Sequence, residues 1–243
     1  MKLNFFKHNF SNKKANRILA LLISLDLLFI LTHIILIFLV FKRIHLGWSI
    51  VPFMVERDAG YPEMFQYLKY AVVIVLLFYL LLKKRGIGYI SWLLLFILLL
   101  LDDSLQFHER FGAWAVEKFS FAPTLGLRAQ DIGELTYVAI FGSISLFFLV
   151  FGYVKGDKKY RKINIDLALL FGVFLFFGIG VDMLDELVEY NRYSLLFLVL
   201  FEDGGEMITL SLVLWYFCYL ILKPQNHDKY LFQFFFKHKK PID

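Results

Sequence analysis

The stretch 87–101, IGYISWLLLFILLLL, runs straight into Asp102-Asp103-Ser104-Leu105-Gln106-Phe107-His108-Glu109. Fifteen residues without a charge are too few to cross a bilayer, whose hydrocarbon core of about 30 Å takes roughly 20 helical residues. To span, this helix must continue through Asp102 and Asp103. Two adjacent carboxylates are thereby carried into or to the edge of the hydrocarbon. The stretch therefore sets the fold, a membrane helix, and points to a site at its polar end.

Five more apolar runs share this character: 18–41, about 67–82, about 132–154, 163–181 and about 195–222. The second begins near Pro62, because proline suits a first helical turn where its missing N–H would be unpaired anyway. Six runs in 243 residues leave little soluble mass. Hydrophobic residues make up 59% of the chain and charged residues 19%, with a mean hydropathy of +0.65. Soluble domains hold about 45–50% apolar and about 25% charged residues. The expectation is an all-α, polytopic membrane bundle of six transmembrane helices. Residues 18–222 form its single domain, flanked by basic and aromatic tails at 1–17 and 223–243.

Basic residues orient the bundle. Eighteen of the 26 Lys and Arg fall in the N-terminal tail, the second-to-third and fourth-to-fifth connections, and the C-terminal tail. With six spans these all lie on one side. Both termini are therefore expected in the cytoplasm, in a plasma (inner) membrane. The other eight, Lys69 among them, are assigned to the outer side or to helix ends. The first run is too long for a cleaved signal peptide and has no small-residue cleavage site after it. The expected partners are the lipid bilayer and a lipid substrate. Nucleic acid is not expected, because the positive charge lies on the lipid-facing cytoplasmic surface. Cys218 is the only cysteine, which excludes an intrachain disulfide and a cysteine metal site.

Acids show the opposite asymmetry. Twelve of the 21 gather at the outer ends of helices. They are Asp102, Asp103 and Glu109; Asp131 and Glu134; Asp182, Asp185, Glu186 and Glu189; and Glu202, Asp203 and Glu206. At about 1.5 Å per residue, Glu202 lies roughly 10 Å deep and Glu206 roughly 17 Å. Charged groups at such depth face the bundle interior and need partners. Asp102, Gln106 and Glu109 would share one face of a continuous third helix. Asp131 reads as the N-cap of the fourth helix. Asp26 and His33 share a stripe of the first. With no in-span lysine or arginine expected among the acids, cations or protons must relieve their repulsion.

The motifs Asp102-Asp103-x4-His108-Glu109 and Glu202-Asp203-x2-Glu206-Met207 resemble those of a group of bacterial multipass membrane proteins. That resemblance implies a shared site without naming an activity. Ser104-x-x-Phe107-His108 is also similar to an element of the alkaline ceramidase and progestin-adipoQ receptor superfamily. That superfamily has seven spans and binds zinc with a later His-x-x-x-His pair. Here Glu202 and Glu206 hold the late i, i+4 positions and six spans are counted.

Three functions follow from the residues. The first is a metal-dependent enzyme acting on a lipid or lipid-linked substrate. A divalent metal (zinc, manganese or iron) would be held by His108, Glu202 and Glu206, with Asp102 and Asp182 completing the shell and Asp103 as the catalytic base. The second is a proton or cation transporter or channel, since intramembrane acids mark ion paths. Against it, only Asp26 serves the inner half. The third is a non-catalytic sensor or partner protein, with oligomeric state open. Nucleophile-elbow, phosphate-loop and dinucleotide motifs do not occur.

Overall fold

The computed structural model describes residues 12–44, 47–84, 88–124, 126–187 and 192–222, without the side chains of 84, 185–187 and 192–196. Of the expected tails, residues 1–11 and 223–243 lie outside what is described, whereas 13–17 already begin the first helix; the side chains of Asp185, Glu186 and Glu189 lie outside it too. Eight α-helices occur among the described residues: α1 (Lys13–Phe41), α2 (Tyr61–Lys84), α3 (Gly88–Leu105), α4 (Phe107–Phe119), α5 (Ala129–Lys155), α6 (Lys158–Leu175), α7 (Asp182–Leu187) and α8 (Arg192–Leu222). A π-helical segment, Phe176–Val181, joins α6 to α7. Six helices are long and apolar enough to cross a membrane. The helical bundle of six such spans is the fold expected from the sequence.

Local chemistry sets the boundaries. Asn12 caps α1 by accepting the amides of Lys14 and Ala15. Pro62 sits in the first turn of α2, as expected. Helix α3 does run through Asp102 and Asp103, and then breaks. Gln106 takes a left-handed backbone, φ 52°, and α4 restarts at Phe107. The single face shared by Asp102, Gln106 and Glu109 therefore does not form. The break still has a use. The Asp102 carboxylate accepts the His108 amide at 2.9 Å, so it caps the first turn of α4 across the gap. Asp131 is not an N-cap: Arg128 occupies that position, and Asp131 reaches back from the first turn to accept its amide at 2.7 Å.

Helix α8 is central, packed against α1, α2, α6 and the π-segment. Its Leu210, Val213, Leu214 and Phe217 join Tyr70, Val73 and Leu77 of α2 and Trp92 and Phe96 of α3 in the apolar core. The outward faces are apolar too. Leu28, Leu31, Ile35 and Phe38 of α1 are exposed, as are Phe147, Val150 and Phe151 of α5. Exposed stripes of this size on a soluble protein would be an aggregation hazard; on a membrane bundle they face lipid. Helices α4 and α5 cross with backbones in contact. A Cβ on Gly133 would stand 2.6 Å from the Gly112 carbonyl oxygen, so only glycine permits this approach.

Candidate functional site

Two helix ends, the middle of a third helix and one connection converge. The acidic ends of α3 and α5 and residues 202–206, midway along α8, meet the turn before α2, and all line a single cavity of about 940 Å³. That is near the top of the range for small-molecule sites. Asp102, Asp103, His108, Asp182, Glu202 and Glu206, the residues singled out in the sequence, all line it. Asp203, Glu109 and Glu134 join them. So do Asp58, Glu63 and Gln66, from a segment where the sequence signalled nothing.

The local arrangement differs from a ready-made metal centre. His108 Nδ1 lies 3.2 Å from Asp102 Oδ2, and His108 Nε2 lies 4.0 Å from Glu109 Oε1. Among the described residues, no three His, Cys, Asp or Glu side chains are grouped as a metal ion would need. The carboxylates that line the cavity come from several elements, among them α2, α3, α5, α7 and α8. Asp58 accepts Gln106 Nε2 at 3.0 Å, which ties the turn before α2 to the break after α3. Tyr67 donates its hydroxyl to the Asp103 carbonyl at 3.2 Å. The buried Tyr70 and Tyr137 hydroxyls stand beside Asp103 and Asp102 respectively.

The Asp102 carboxylate, accepting from the ring, outweighs burial and pushes the His108 imidazole up to about 9. His108 is therefore a cation at neutral pH, and a metal binding there must displace a proton. A consequence for stability follows. The folded-state value lies above the ordinary value of about 6.5. The His108–Asp102 pair thus contributes stability that is fully present below pH 6.5 and is lost as pH rises through 9. Thermal melts in detergent should show a fall in Tm from pH 7 to 10 that His108→Gln largely removes. An identical fall in that variant would contradict the pairing.

Glu206 rests against the π-segment. A Cβ on Gly178 would collide with its carboxylate, and one on Gly205 would collide with the Phe177 ring. Wide π-turns often occur at functional sites. Here the turn lets α8 approach closely enough to set Glu206 into the cavity wall.

One expectation is corrected. Lys69 does not sit at an outer helix end. It is 1% exposed, inside α2, and Asp26 beside it is 0% exposed. Lys69 Nζ donates to Asp26 Oδ1 at 3.0 Å, to the Met207 carbonyl at 2.8 Å and to Ser211 Oγ at 3.4 Å. Ser211 in turn donates to Asp26 Oδ2 at 2.5 Å. An in-span lysine is therefore present, one residue from Tyr70 and within electrostatic reach of Glu206. Two lone buried charges of opposite sign in an apolar context were the available signal. His33, from the same α1 stripe, is buried and receives the Val55 amide at 3.3 Å, with Glu56 at 3.2 Å.

The other end of the cavity is apolar. Its walls are Leu95 and Leu99 of α3, Leu146 and Leu149 of α5 and Phe171 and Leu175 of α6. Leu146 is 60% exposed yet lines the cavity. Gly142 and Gly172, also on the wall, have open space where a Cβ would be. The cavity therefore opens sideways between α5 and α6, towards lipid.

These features define a polytopic helical bundle with an acid-headed, laterally open cavity. Residues 64–222 match the domain of unknown function DUF8692, and the chain belongs to that family. That span contains Gln66, Lys69 and every residue proposed from the sequence for the site. Neither the curated proteins nor the solved structures provide a match.

Proposed function

We propose that the protein is a membrane enzyme acting on a lipid or lipid-linked substrate with the help of a divalent metal. The observation that supports this is the cavity, with carboxylates and an imidazole at one end and an apolar arm open to lipid at the other. The substrate's chain would lie in the arm and its polar group among the acids. Glu202 and Glu206, on consecutive turns of α8, would supply oxygens, with Asp102, Asp182 and deprotonated His108 drawn in from the facing walls. The metal would polarise water or a substrate oxygen, and Asp103 would accept the proton. We place both termini in the cytoplasm and the acid end at the outer face of the plasma membrane. The charge asymmetry of the loops supports this.

Elemental analysis of the purified protein tests the metal. A stoichiometric zinc, manganese or iron, lost in Glu206→Gln together with a metal-dependent rise in Tm, is the expected result. Binding should weaken on acidification, because protons compete for the same groups. Metal-free protein whose Glu206→Gln variant melts higher would overturn the metal. Single cysteines at Lys159 and Ala122 test the topology: the first should react from the cytoplasm and the second from outside.

Proton or cation movement is a second reading, and one observation favours it. Asp26, Lys69 and Ser211 form a bonded polar cluster behind Glu206, where the sequence offered Asp26 alone. Acid-driven cation flux in liposomes, abolished in Glu206→Gln, would decide for it.

A further inference from the structure

The apolar arm of the cavity has a closed end. Helices α2 and α8 leave the wall at Gln66 and Met207, and α3, α5 and α6 carry it on, away from the acids, to Trp92, Leu149 and Ala168. Beyond those residues the three helices are tied together. Ser91 Oγ donates to the Phe148 carbonyl at 2.8 Å, which joins α3 to α5. A Cβ on Gly152 would stand 3.2 Å from Gly88 Cα, and one on Gly88 would collide with the Tyr160 ring. The Tyr160 hydroxyl donates to the Gly88 carbonyl at 2.7 Å, and Trp92 Nε1 donates to Asn164 Oδ1 at 2.7 Å, which joins α6 to α3. Trp92, Tyr160 and Asn164 are all buried. Partnered polar groups in an apolar setting hold their side chains in place, so this end is a rigid stop.

The surroundings decide what reaches that stop. The arm lies within the spans, where the medium is hydrocarbon. Gly142 and Leu146 of α5 and Ala168 and Gly172 of α6 line it and are exposed. The arm is therefore continuous with the lipid-facing surface. An empty arm would forfeit contacts along its lining, and water is not held where polar partners are lacking. The chain of a membrane lipid is the occupant already at the opening.

We infer that the stop measures this chain: the cavity takes a lipid with a chain of about palmitoyl length, and Leu149 and Ala168 set that length. This rests on the reading above that the cavity takes a lipid-type molecule, and it specifies that molecule's chain. From Asp103 to Trp92, both on the wall, α3 rises about 16 Å. From Glu134 to Leu149, also on the wall, α5 rises about 22 Å. One leaflet's share of the hydrocarbon is about 15 Å, so the arm reaches past the midplane. An extended palmitoyl chain spans it. A lauroyl chain stops short and leaves the end empty. An arachidoyl chain meets the stop and must turn out between α5 and α6.

Monoacylglycerols with lauroyl, palmitoyl and arachidoyl chains test this, because they share one uncharged head. Their competition for the full-length protein in phosphatidylcholine nanodiscs would be read by native mass spectrometry. A Gly142→Trp variant, which fills the lateral opening, marks cavity binding. Palmitoyl should bind at least about fivefold more tightly than either of the others. That is less than the roughly 10–200-fold one methylene is worth to a pocket in water, because lipid also solvates the excluded chain. Ala168→Leu, at an exposed position, should shorten the arm and raise lauroyl at the expense of palmitoyl. Leu149→Ala should deepen it and raise arachidoyl instead. The two variants act in opposite directions, so a general loss of fold does not imitate both. Binding blocked by Gly142→Trp but with no optimum in length, or with an optimum that neither variant moves, would overturn the chain stop and leave the lipid cavity standing. Binding that ignores Gly142→Trp, or no binding of any of the three, would remove the lipid cavity as well.

Discussion

Lys69→Met should be among the most damaging single substitutions in the chain, with a loss of roughly 3–5 kcal/mol. The ammonium meets three acceptors at once, on α1 and α8. Removing it leaves the Asp26 carboxylate at 0% exposure with Ser211 as its only donor among the described residues. An uncompensated buried charge is far costlier than an absent pair. The double variant Asp26→Leu with Lys69→Met should therefore recover most of the loss. Reversible unfolding in mixed micelles would measure all three. Wild-type stability in Lys69→Met, or no recovery in the double variant, would mean that the cluster does not clamp α1, α2 and α8 together.

The second large effect is expected at Gly133. A Cβ there meets the backbone of Gly112, with its oxygen at 2.6 Å and its Cα at 2.7 Å. Backbone cannot rotate away as a side-chain tip can, so Gly133→Ala must push α4 off α5. Overpacking of this kind costs about 1–3 kcal/mol. Helix α4 carries His108, so the same variant should loosen the His108–Asp102 pair and return the imidazole towards its ordinary value. Histidine NMR titration would show this. Gly142→Ala is the control on the same helix. It has open space around it and should be neutral, or more stable by about 0.5–1 kcal/mol through helix propensity. If both variants behave alike, the close crossing of α4 and α5 is not what holds His108 in place.

The bundle was readable from the chain because lipid imposes one requirement throughout. Long apolar runs and alternating basic loops announce spans whatever the packing. Convergence of the acids was readable for the same reason: charged groups at the depth of Glu206 have only the interior to face. What escaped depended on three-dimensional neighbours. Gln106 breaks the third helix in a left-handed conformation usually left to glycine, and nothing in its identity signals that. Lys69 looked like an outer-end residue because it stands at the start of the apolar run 67–82, and its burial depends on Asp26 and Ser211 from other helices. Gln66 and Glu63 carry no motif, and enter the site only because α2 begins where α3 ends. The close approach of Glu206 to Gly178, in the π-turn at Phe176–Val181, is a contact between helices that a single sequence does not display.

The central claim is that one cavity joins the acid cluster to the lipid phase. A cryo-electron microscopy map of the protein in lipid nanodiscs tests it most directly. The account predicts an elongated density running from Asp103 and Asp203 along Leu146 and Leu149 to the gap between α5 and α6. It also predicts Glu206 facing that density. A map with α5 and α6 closed together, the space filled by side chains and Glu206 turned towards lipid would contradict it.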